Sequence, residues 1–467
     1  MAELKIGTPN AKQRAAMLDK HRHIAYGGAR GGGKSWFIRV KAILMCLKYP
    51  GIKIKIIRRT FPELLENHIE PICEMLKVGT DKALATYNVS NKLLRFPNGS
   101  KIRFGYCNND NDVRIYQGME SDIVFIEEAT QLPEDWIKAI AASVRGTNSF
   151  PKRVYYTCNP GGIGHAYIKR LFVDRQFLDN EHPEDYSFIQ ALVYDNDVLM
   201  KSDPDYLRML ESQPEARRKA WMDGSWDVYE GQAFPEFRNQ PDHYQDRKWT
   251  HVIEGFPIPQ TWKVYRGFDY GYTKPFAVGW WAIDHDGRMY KFKEWYGCTK
   301  QPNTGLQITP QEIAAGIKER EETDPQLKGR IIYGIADPAI WQATTGESIA
   351  EMMERAGVYF GKGDHTRLAG KMQMHYRLVF DEDGFPMAYI FKDCKETIRT
   401  LPLLIYDEKH TEDIDTDGED HIYDSDRYVL MEHPLNPRRT IKRYTAEDPL
   451  PPEDPLEIIK ESKYGRD

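Results

Sequence analysis

Hydrophobic positions along residues 1–230 switch repeatedly between a two-residue and a three-to-four-residue period, as strands alternating with helices require. His23-Ile24-Ala25-Tyr26 reads as a strand running into a glycine cluster, and Phe37, Val40, Leu44 and Leu47 recur at helical spacing between Trp36 and Tyr49. Ile52 to Ile57 alternates with Lys53 and Lys55 before turning apolar, and Lys101 to Tyr106 alternates again. The uninterrupted Ile123-Val124-Phe125-Ile126 suits a central strand buried on both faces, and Val154 to Thr157 repeats that texture. This alternation predicts an α/β domain: a largely parallel sheet, helices on both faces, and a ligand site at the carboxyl ends of the strands.

Between Gly224 and Pro259 the pattern dissolves, with Gly231, Pro235, Pro241, Pro257 and Pro259 interrupting a polar, aromatic-containing stretch. Periodicity then resumes, with strands expected near Lys263–Phe268, Phe276–Ile283, Met289–Trp295, Ile331–Ile335 and Met387–Phe391. Helices are expected near Pro310–Arg320, Ser348–Ala356, Asp393–Leu404 and His421–Met431. Adjacent early strands followed by a strand beyond a helix predict a mixed sheet. The expected layout is a first domain over 1–230, a boundary over 231–259, a second α/β domain over 260–440 and an acidic, Pro-rich, mobile tail over 441–467.

Composition narrows the class. A chain of 467 residues with 41% hydrophobic and 29% charged positions is long enough for two or three folded cores and lies far from the disordered regime. No uncharged apolar run reaches the ~20 residues that span a bilayer, and the N-terminus lacks a signal-type apolar core, so neither a membrane nor an export route is expected. The six cysteines are scattered without a C-x-x-C pair, which argues against a zinc cluster or a disulfide framework and suits a reducing compartment. With 64 basic against 70 acidic residues, the net charge of −6 argues against a protein that coats nucleic acid.

Candidate chemistry begins at Gly28-Ala29-Arg30-Gly31-Gly32-Gly33-Lys34-Ser35, which fits G-x-x-x-x-G-K-[ST] with a strand before it and a helix after it. Gly28, Gly31 and Gly33 let backbone N–H groups wrap a phosphate while the helix N-terminus adds positive potential. Lys34 then reaches the β- and γ-phosphate oxygens and Ser35 binds Mg²⁺, so ATP with Mg²⁺ is the expected ligand. The required second acid follows the apolar strand: Glu127 holds the Mg²⁺ through water, and Glu128 orients and deprotonates the attacking water. Three lesser signals sit nearby. Gln13 either reads an adenine edge or is a surface glutamine, and Thr157-Cys158-Asn159-Pro160 either senses the γ-phosphate or is a plain exit from a strand. Arg30 either swings onto the γ-phosphate as an arginine finger in cis or is a solvated or ion-paired arginine.

A second constellation lies beyond the boundary. Asp269 stands in Tyr265-Arg266-Gly267-Phe268-Asp269-Tyr270-Gly271, Asp337 at the tip of the strand ending Ile335-Ala336, and Asp424 in a helix-compatible stretch. Phosphodiester cleavage by two metal ions needs three or four carboxylates converging from separate strands and a helix, with the metals roughly 4 Å apart. Asp269, Asp337 and Asp424 have that distribution, although for each taken singly the plainer reading, an ordinary solvated acid, wins.

Together these segments resemble a known family. G-G-x-R-G-x-G-K-S, Tyr116 to Asp122 leading into I-V-F-I-E-E, T-x-N-P, and R-x-x-x-W-x-x-G-x-W over Arg217 to Trp226 resemble the large terminase subunit of tailed double-stranded DNA phages. G-F-D-Y-G, A-D-P-A and H-x-x-D-S-x-R-Y are similar to that family's nuclease motifs, and the likeness runs from about residue 8 to 435. It implies an N-terminal RecA/ASCE-like P-loop packaging ATPase and a C-terminal RNase H-like nuclease. Glu127 would be the Walker B acid, Glu128 the catalytic base and Asn159 part of a coupling motif. Asp269, Asp337 and Asp424 would hold two divalent metals, Mg²⁺ or Mn²⁺. The implied partners are double-stranded DNA, a portal protein and a small terminase subunit, with the chain acting as a ring, commonly a pentamer, docked on a procapsid in the host cytoplasm. An acidic motor with local basic patches suits a machine that must release its track on every cycle. Two departures stand out: Glu127 replaces the commoner Asp, and Asp426 lies where an apolar residue is usual. Glu294, Asp284 or Asp426 remain alternatives for a fourth acid. The competing reading is a nucleic-acid-dependent ATPase or helicase whose second domain binds DNA without cutting it.

Overall fold

The computed structural model describes residues 4, 6–213, 215–227, 231–343, 346–407, 410, 412–416 and 418–435; the expected tail over 441–467 lies outside them. Eight strands form the first sheet: β1 (His23–Gly28), β2 (Lys53–Arg58), β3 (Thr86–Asn88), β4 (Leu93–Arg95), β5 (Lys101–Tyr106), β6 (Ile123–Ile126), β7 (Arg153–Cys158) and β8 (Tyr186–Ala191). Their order is β3-β4-β5-β2-β6-β7-β1-β8. From β5 to β8 every pairing is parallel, and β3 and β4 add an antiparallel edge. The three-residue β3 and β4 escaped the sequence reading because alternation cannot register over so short a span.

The two-residue period decides which side chains meet which helices. Ile24, Tyr26, Ile54, Ile56 and Phe125 share a core with Phe37 and Ile38 of the helix Lys34–Lys48. Ala25, Ile57, Val124, Ile126, Val154 and Tyr156 face the opposite side, where Ile137 and Ile140 of the helix Glu134–Ala141 cover them. The expected α/β architecture, with its sheet covered on both faces, is therefore present. One consequence governs the chemistry: β7 separates β1 from β6. Three adjacent strands thus end in the glycine loop, in Asn159 and in Glu127-Glu128.

The second sheet comprises β9 (Val252–Ile253), β10 (Lys263–Asp269), β11 (Ala277–Ile283), β12 (Met289–Tyr296), β13 (Ile332–Ala336), β14 (Gly361–Lys362) and β15 (Ala388–Phe391), ordered β14-β13-β10-β11-β12-β15-β9. An antiparallel meander β10-β11-β12 is followed, across the helix Pro310–Thr323, by β13 and β14 pairing parallel on the other side of β10. The sheet is therefore mixed, as the strand pattern predicts. Ala233, Phe234, Phe237, Val252 and Ile253, in the span expected as a boundary, are buried in the core of this sheet. The helix His421–Glu432 lies across β10 and β11, and Gly267 permits the approach: a Cβ there would overlap the Ser425 carbonyl. Among the described residues no helix is long and apolar enough to cross a membrane.

Candidate functional site

β1 delivers the chain into the glycine loop, and the helix Lys34–Lys48 starts directly after it. Gly33 caps that helix at φ 76°, ψ 26°, a left-handed conformation that strains any residue with a Cβ. The first N–H groups of the helix lack intrahelical acceptors, so the loop and helix start present donors where a phosphate would lie. Lys34 is buried and donates to the Ala29 carbonyl at 2.7 Å and to Asn159 Oδ1 at 2.6 Å. Burial lowers its pKa, while Glu128, Cys158 and Glu127 act to restore it.

Ser35 Oγ donates to Glu127 Oε1 at 2.6 Å. The other oxygen, Oε2, accepts from Arg58 Nη1 at 2.6 Å and lies 2.6 Å from His68 Nε2. Burial alone would raise the Glu127 pKa; His68, Arg58 and Ser35 overcome it and hold the carboxyl at about 2. The longer glutamate arm thus sets one carboxylate between the Ser35 hydroxyl on one side and the Arg58 guanidinium and His68 ring on the other. His68 comes from a π-turn, Leu65–Ile69, inserted between the helical segments Phe61–Leu64 and Glu70–Met75, a device found mostly at functional sites.

Glu128 adopts φ 50°, ψ 51°, a left-handed conformation costing about 1–3 kcal/mol in a residue with a side chain. Its N–H bonds Thr157 Oγ1 at 3.2 Å, and Asn159 Nδ2 donates to both carboxylate oxygens, at 3.1 and 3.0 Å. Asn159 therefore touches Lys34 with its carbonyl oxygen and Glu128 with its amide nitrogen. Lys34, Ser35, Glu127, Glu128 and Asn159 form one connected cluster.

Gln13 and Arg30 sit at its margin. Gln13 is buried; its Oε1 accepts from Asn10 N and its Nε2 donates to Gly33 O at 3.0 Å, so its amide is spent on a helix cap and on the loop itself. The Arg30 guanidinium stacks on Trp221, 3.6 Å from the ring centroid, and the Arg30 backbone N–H donates to Trp221 O at 3.0 Å. Asn196, for which the sequence offered no signal, donates to Gly31 O at 2.6 Å. The W-x-x-G-x-W stretch thus packs on the loop, and its second tryptophan is tied to the other strand end: Gly161 N–H donates to His165 Nδ1 and His165 Nε2 donates to Trp226 O. Burial lowers the His165 pKa to about 3, which keeps the ring neutral for this bridge.

The second cluster gathers where β10 and β13 end. Asp337 N–H bonds Phe268 O at 3.2 Å, which sets Asp337 beside Asp269, and its Oδ1 accepts from Ala339 N at 2.8 Å. His421 Nδ1 lies 3.2 Å from Asp269 Oδ2, and Nε2 lies 3.2 Å from Asn303 Oδ1. Burial, with Asp424 and Asp337 adding negative potential, raises the Asp269 pKa to about 6 against the pull of His421. Asp424 accepts from Arg427 Nε at 3.0 Å and faces Arg367 Nη1 at 3.6 Å.

Asp420, which sequence reasoning missed, belongs to the same cluster: burial, Asp424 and Asp269 raise its pKa to about 7. Its signal was available in the four-residue spacing to Asp424, one helical turn. The alternatives for a fourth acid lie elsewhere. Asp426 is buried against Lys291 Nζ at 2.7 Å and Trp281 Nε1 at 2.8 Å. Glu294 accepts from Glu396 N, Thr397 N and Thr397 Oγ1 at the start of the helix Lys395–Thr400. Asp284 braces the β11–β12 turn through Asp286 N and Arg288 N, at the far end of β11 from Asp269. Among the described residues no group of three His, Cys, Asp or Glu side chains is arranged to hold a metal ion. Instead protein donors hold the carboxylates: His421 on Asp269, Ala339 N–H on Asp337, Arg427 on Asp424. A hard, crowded set of carboxylate oxygens nevertheless fits divalent cations by its chemistry.

The segment that carries the glycine loop and the acid pair after β6 matches a sequence family. The family model described as phage terminase large subunit matches residues 20–224. Residues 20–224 are thus similar to phage terminase large subunits. Among solved structures, the large terminase of a thermophilic bacteriophage is 21% identical, with 91% of this chain and 98% of that chain covered and a TM-score of 0.41. The large terminase of bacteriophage HK97 is 10% identical over 91% of this chain and 94% of its own, with a TM-score of 0.46. The nuclease domain of the P22 large terminase is 16% identical over 42% of this chain and 91% of its own, with a TM-score of 0.32. No curated protein matches the chain. Within the matched segment lie the whole of the first sheet from β1 to β8 and the Lys34–Glu127–Glu128–Asn159 cluster.

Proposed function

We propose that the chain is a packaging motor and nuclease: ATP hydrolysis over residues 1–230 drives double-stranded DNA into a procapsid, and residues 260–440 cut it with divalent metals. The observation that carries the motor half is the Asn159 bridge between Lys34 and Glu128. When ATP enters, its phosphate oxygens compete for the Lys34 ammonium, which leaves the Asn159 side chain oriented by Glu128. Glu128, fixed by Asn159 and by its own strained backbone, accepts the proton of the attacking water. Ser35 and Glu127 would hold Mg²⁺, which would supply charge neutralisation on the β- and γ-phosphates.

For the nuclease half, Asp269, Asp337, Asp420 and Asp424 would hold two divalent ions, Mg²⁺ or Mn²⁺, which activate a water and stabilise the leaving oxygen. His421, braced by Asn303, orients Asp269. Arg427 and Arg367 balance Asp424. A ring of copies on a portal, with a small subunit choosing the DNA, in the host cytoplasm, completes the reading. Two variants test it in the full-length chain. Lys34→Ala should abolish ATP hydrolysis and spare Mn²⁺-dependent plasmid cutting, and Asp269→Ala should do the reverse. Full ATPase activity in Lys34→Ala would overturn the first site, and undiminished cutting by Asp269→Ala the second.

A further inference from the structure

The beginnings of β2 and β5, at the opposite ends of these strands from the nucleotide cluster, carry charge that the chemistry above does not use. Lys53 and Lys55 share one face of β2, as Lys101 and Arg103 share one face of β5. The register sets Lys53 beside Lys101 and Lys55 beside Arg103, and Arg95 of β4 beside Lys101. Neighbouring strands are about 4.8 Å apart, so like charges directly opposite repel and weaken the sheet. Arg145 approaches from beyond the helix Glu134–Ala141, and with Lys53, Lys55, Lys101 and Arg103 it lines a recess of about 430 Å³ whose wall holds one acid, Glu120.

None of the five cations is ion-paired to a described acid. Lys55 Nζ reaches Ser143 Oγ at 3.5 Å, Arg103 Nη1 reaches Asn91 O at 3.5 Å and Arg145 Nη2 reaches Gln117 O at 3.3 Å. Burial, then Arg103 and Arg145, lower the Lys55 pKa to about 8; burial, then Lys53, Arg95 and Arg103, lower that of Lys101. A central parallel strand is ordinarily apolar on both faces, and the same face of this sheet is apolar beneath β6 and β7. Lysines that interrupt such a strand, gathered with three other cations and left without counter-charge, call for an anion from outside. A row running across three strands is too extended for one phosphate and matches a polyanion.

We propose that this basic recess receives the phosphate backbone of duplex DNA. The inference rests on the packaging reading and adds a location to it, on the sheet end remote from ATP. Backbone contact of this kind is sequence-independent and salt-dependent, as a translocating motor requires.

The test is binding of full-length protein to a fluorescent duplex of about 30 base pairs across a salt series, comparing the parent with Lys53→Gln/Lys101→Gln/Arg145→Gln. The triple variant should bind about tenfold or more weakly, and the slope of log K against log salt should flatten by about 0.9 per charge removed. Lys20→Gln/Lys82→Gln/Lys328→Gln removes the same charge from exposed positions elsewhere and should leave the slope unchanged. If the triple variant does not fold, single Lys101→Gln and Arg145→Gln should each flatten the slope by about 0.9. Parental affinity and slope in the variants overturn the inference and leave the packaging reading standing. Lost self-association by sedimentation with unchanged DNA binding also overturns it, by assigning the recess to an acidic face of a second copy. Absence of duplex binding by the parent removes the packaging reading and the inference together.

Discussion

Asn159 donates its side-chain amide to both oxygens of Glu128, at 3.1 and 3.0 Å, while its carbonyl oxygen accepts from Lys34 at 2.6 Å. The group that would bind phosphate and the group that would activate water are therefore joined through one neutral side chain. The join exists because β7 lies between β1 and β6.

Asn159→Ala should lower the ATPase kcat by roughly ten- to a hundredfold, because Glu128 loses the donor that fixes both its oxygens. Nucleotide affinity should change little, since Lys34 keeps the Ala29 carbonyl and the loop is untouched. Steady-state hydrolysis and fluorescent-nucleotide titration separate the two. An unchanged kcat would show that Glu128 needs no orienting partner.

Asp420→Asn should reduce metal-dependent plasmid cutting by at least about tenfold, as Asp269→Asn should, because both carboxylates share one field of negative charge. Asp284→Asn should cut at the parental rate, its carboxylate being committed to a turn at the other end of β11. Equal rates for Asp420→Asn and the parent would return the search for a fourth acid to its start.

Asp426 and Lys291 form a buried pair behind the helix His421–Glu432, and burial raises the Asp426 pKa against the pull of Lys291. Asp426→Ala should destabilise the protein by about 3–5 kcal/mol, because it strands the Lys291 charge. Lys291→Met/Asp426→Leu should regain most of that loss, since apolar isosteres remove the desolvation cost of both ions. Urea unfolding of the two variants checks the order. A double variant no better than the single one would mean that the pair is irreplaceable for packing.

His251 is fully buried, accepting from Arg238 N at 2.8 Å and donating to Leu378 O at 2.8 Å, and burial lowers its pKa to about 4. An unfolded histidine titrates near 6.5. Acid therefore protonates the unfolded chain first, so the stability contributed by this site is complete above pH 6.5 and is lost as pH falls toward 4. The loss should be about 2 kcal/mol between pH 7 and pH 5. His251→Gln, less stable at pH 7, should show a correspondingly shallower decline in urea midpoint over that range. The same slope in both proteins would place the acid sensitivity elsewhere.

Much of the architecture was written in local patterns. Four-residue apolar runs and two-residue alternation marked β2, β5, β6 and β7, because burial on one or both faces of a sheet constrains each residue independently of its partners. Gly33-Lys34-Ser35 and Glu127-Glu128 were legible because a phosphate loop and a strand-end acid pair are contiguous in the chain. Asp420 went unread although it stands one helical turn before Asp424, whereas the roles of His68, Asn196 and Asn303 left no trace because each acts across a long sequence separation. Asp426, Glu294 and Asp284 looked alike in sequence and differ only in which donors surround them.

The sequence by itself determined the longer strands and helices it named, the glycine loop and the inventory of acids, since these depend on residue type and short spacing. Only the tertiary structure decided that Asn159 spans Lys34 and Glu128, that Asp420 rather than Glu294 joins Asp269, and that Lys53, Lys101 and Arg95 lie in one row. Strand order and register make those choices, and both arise from packing between segments that no local period records.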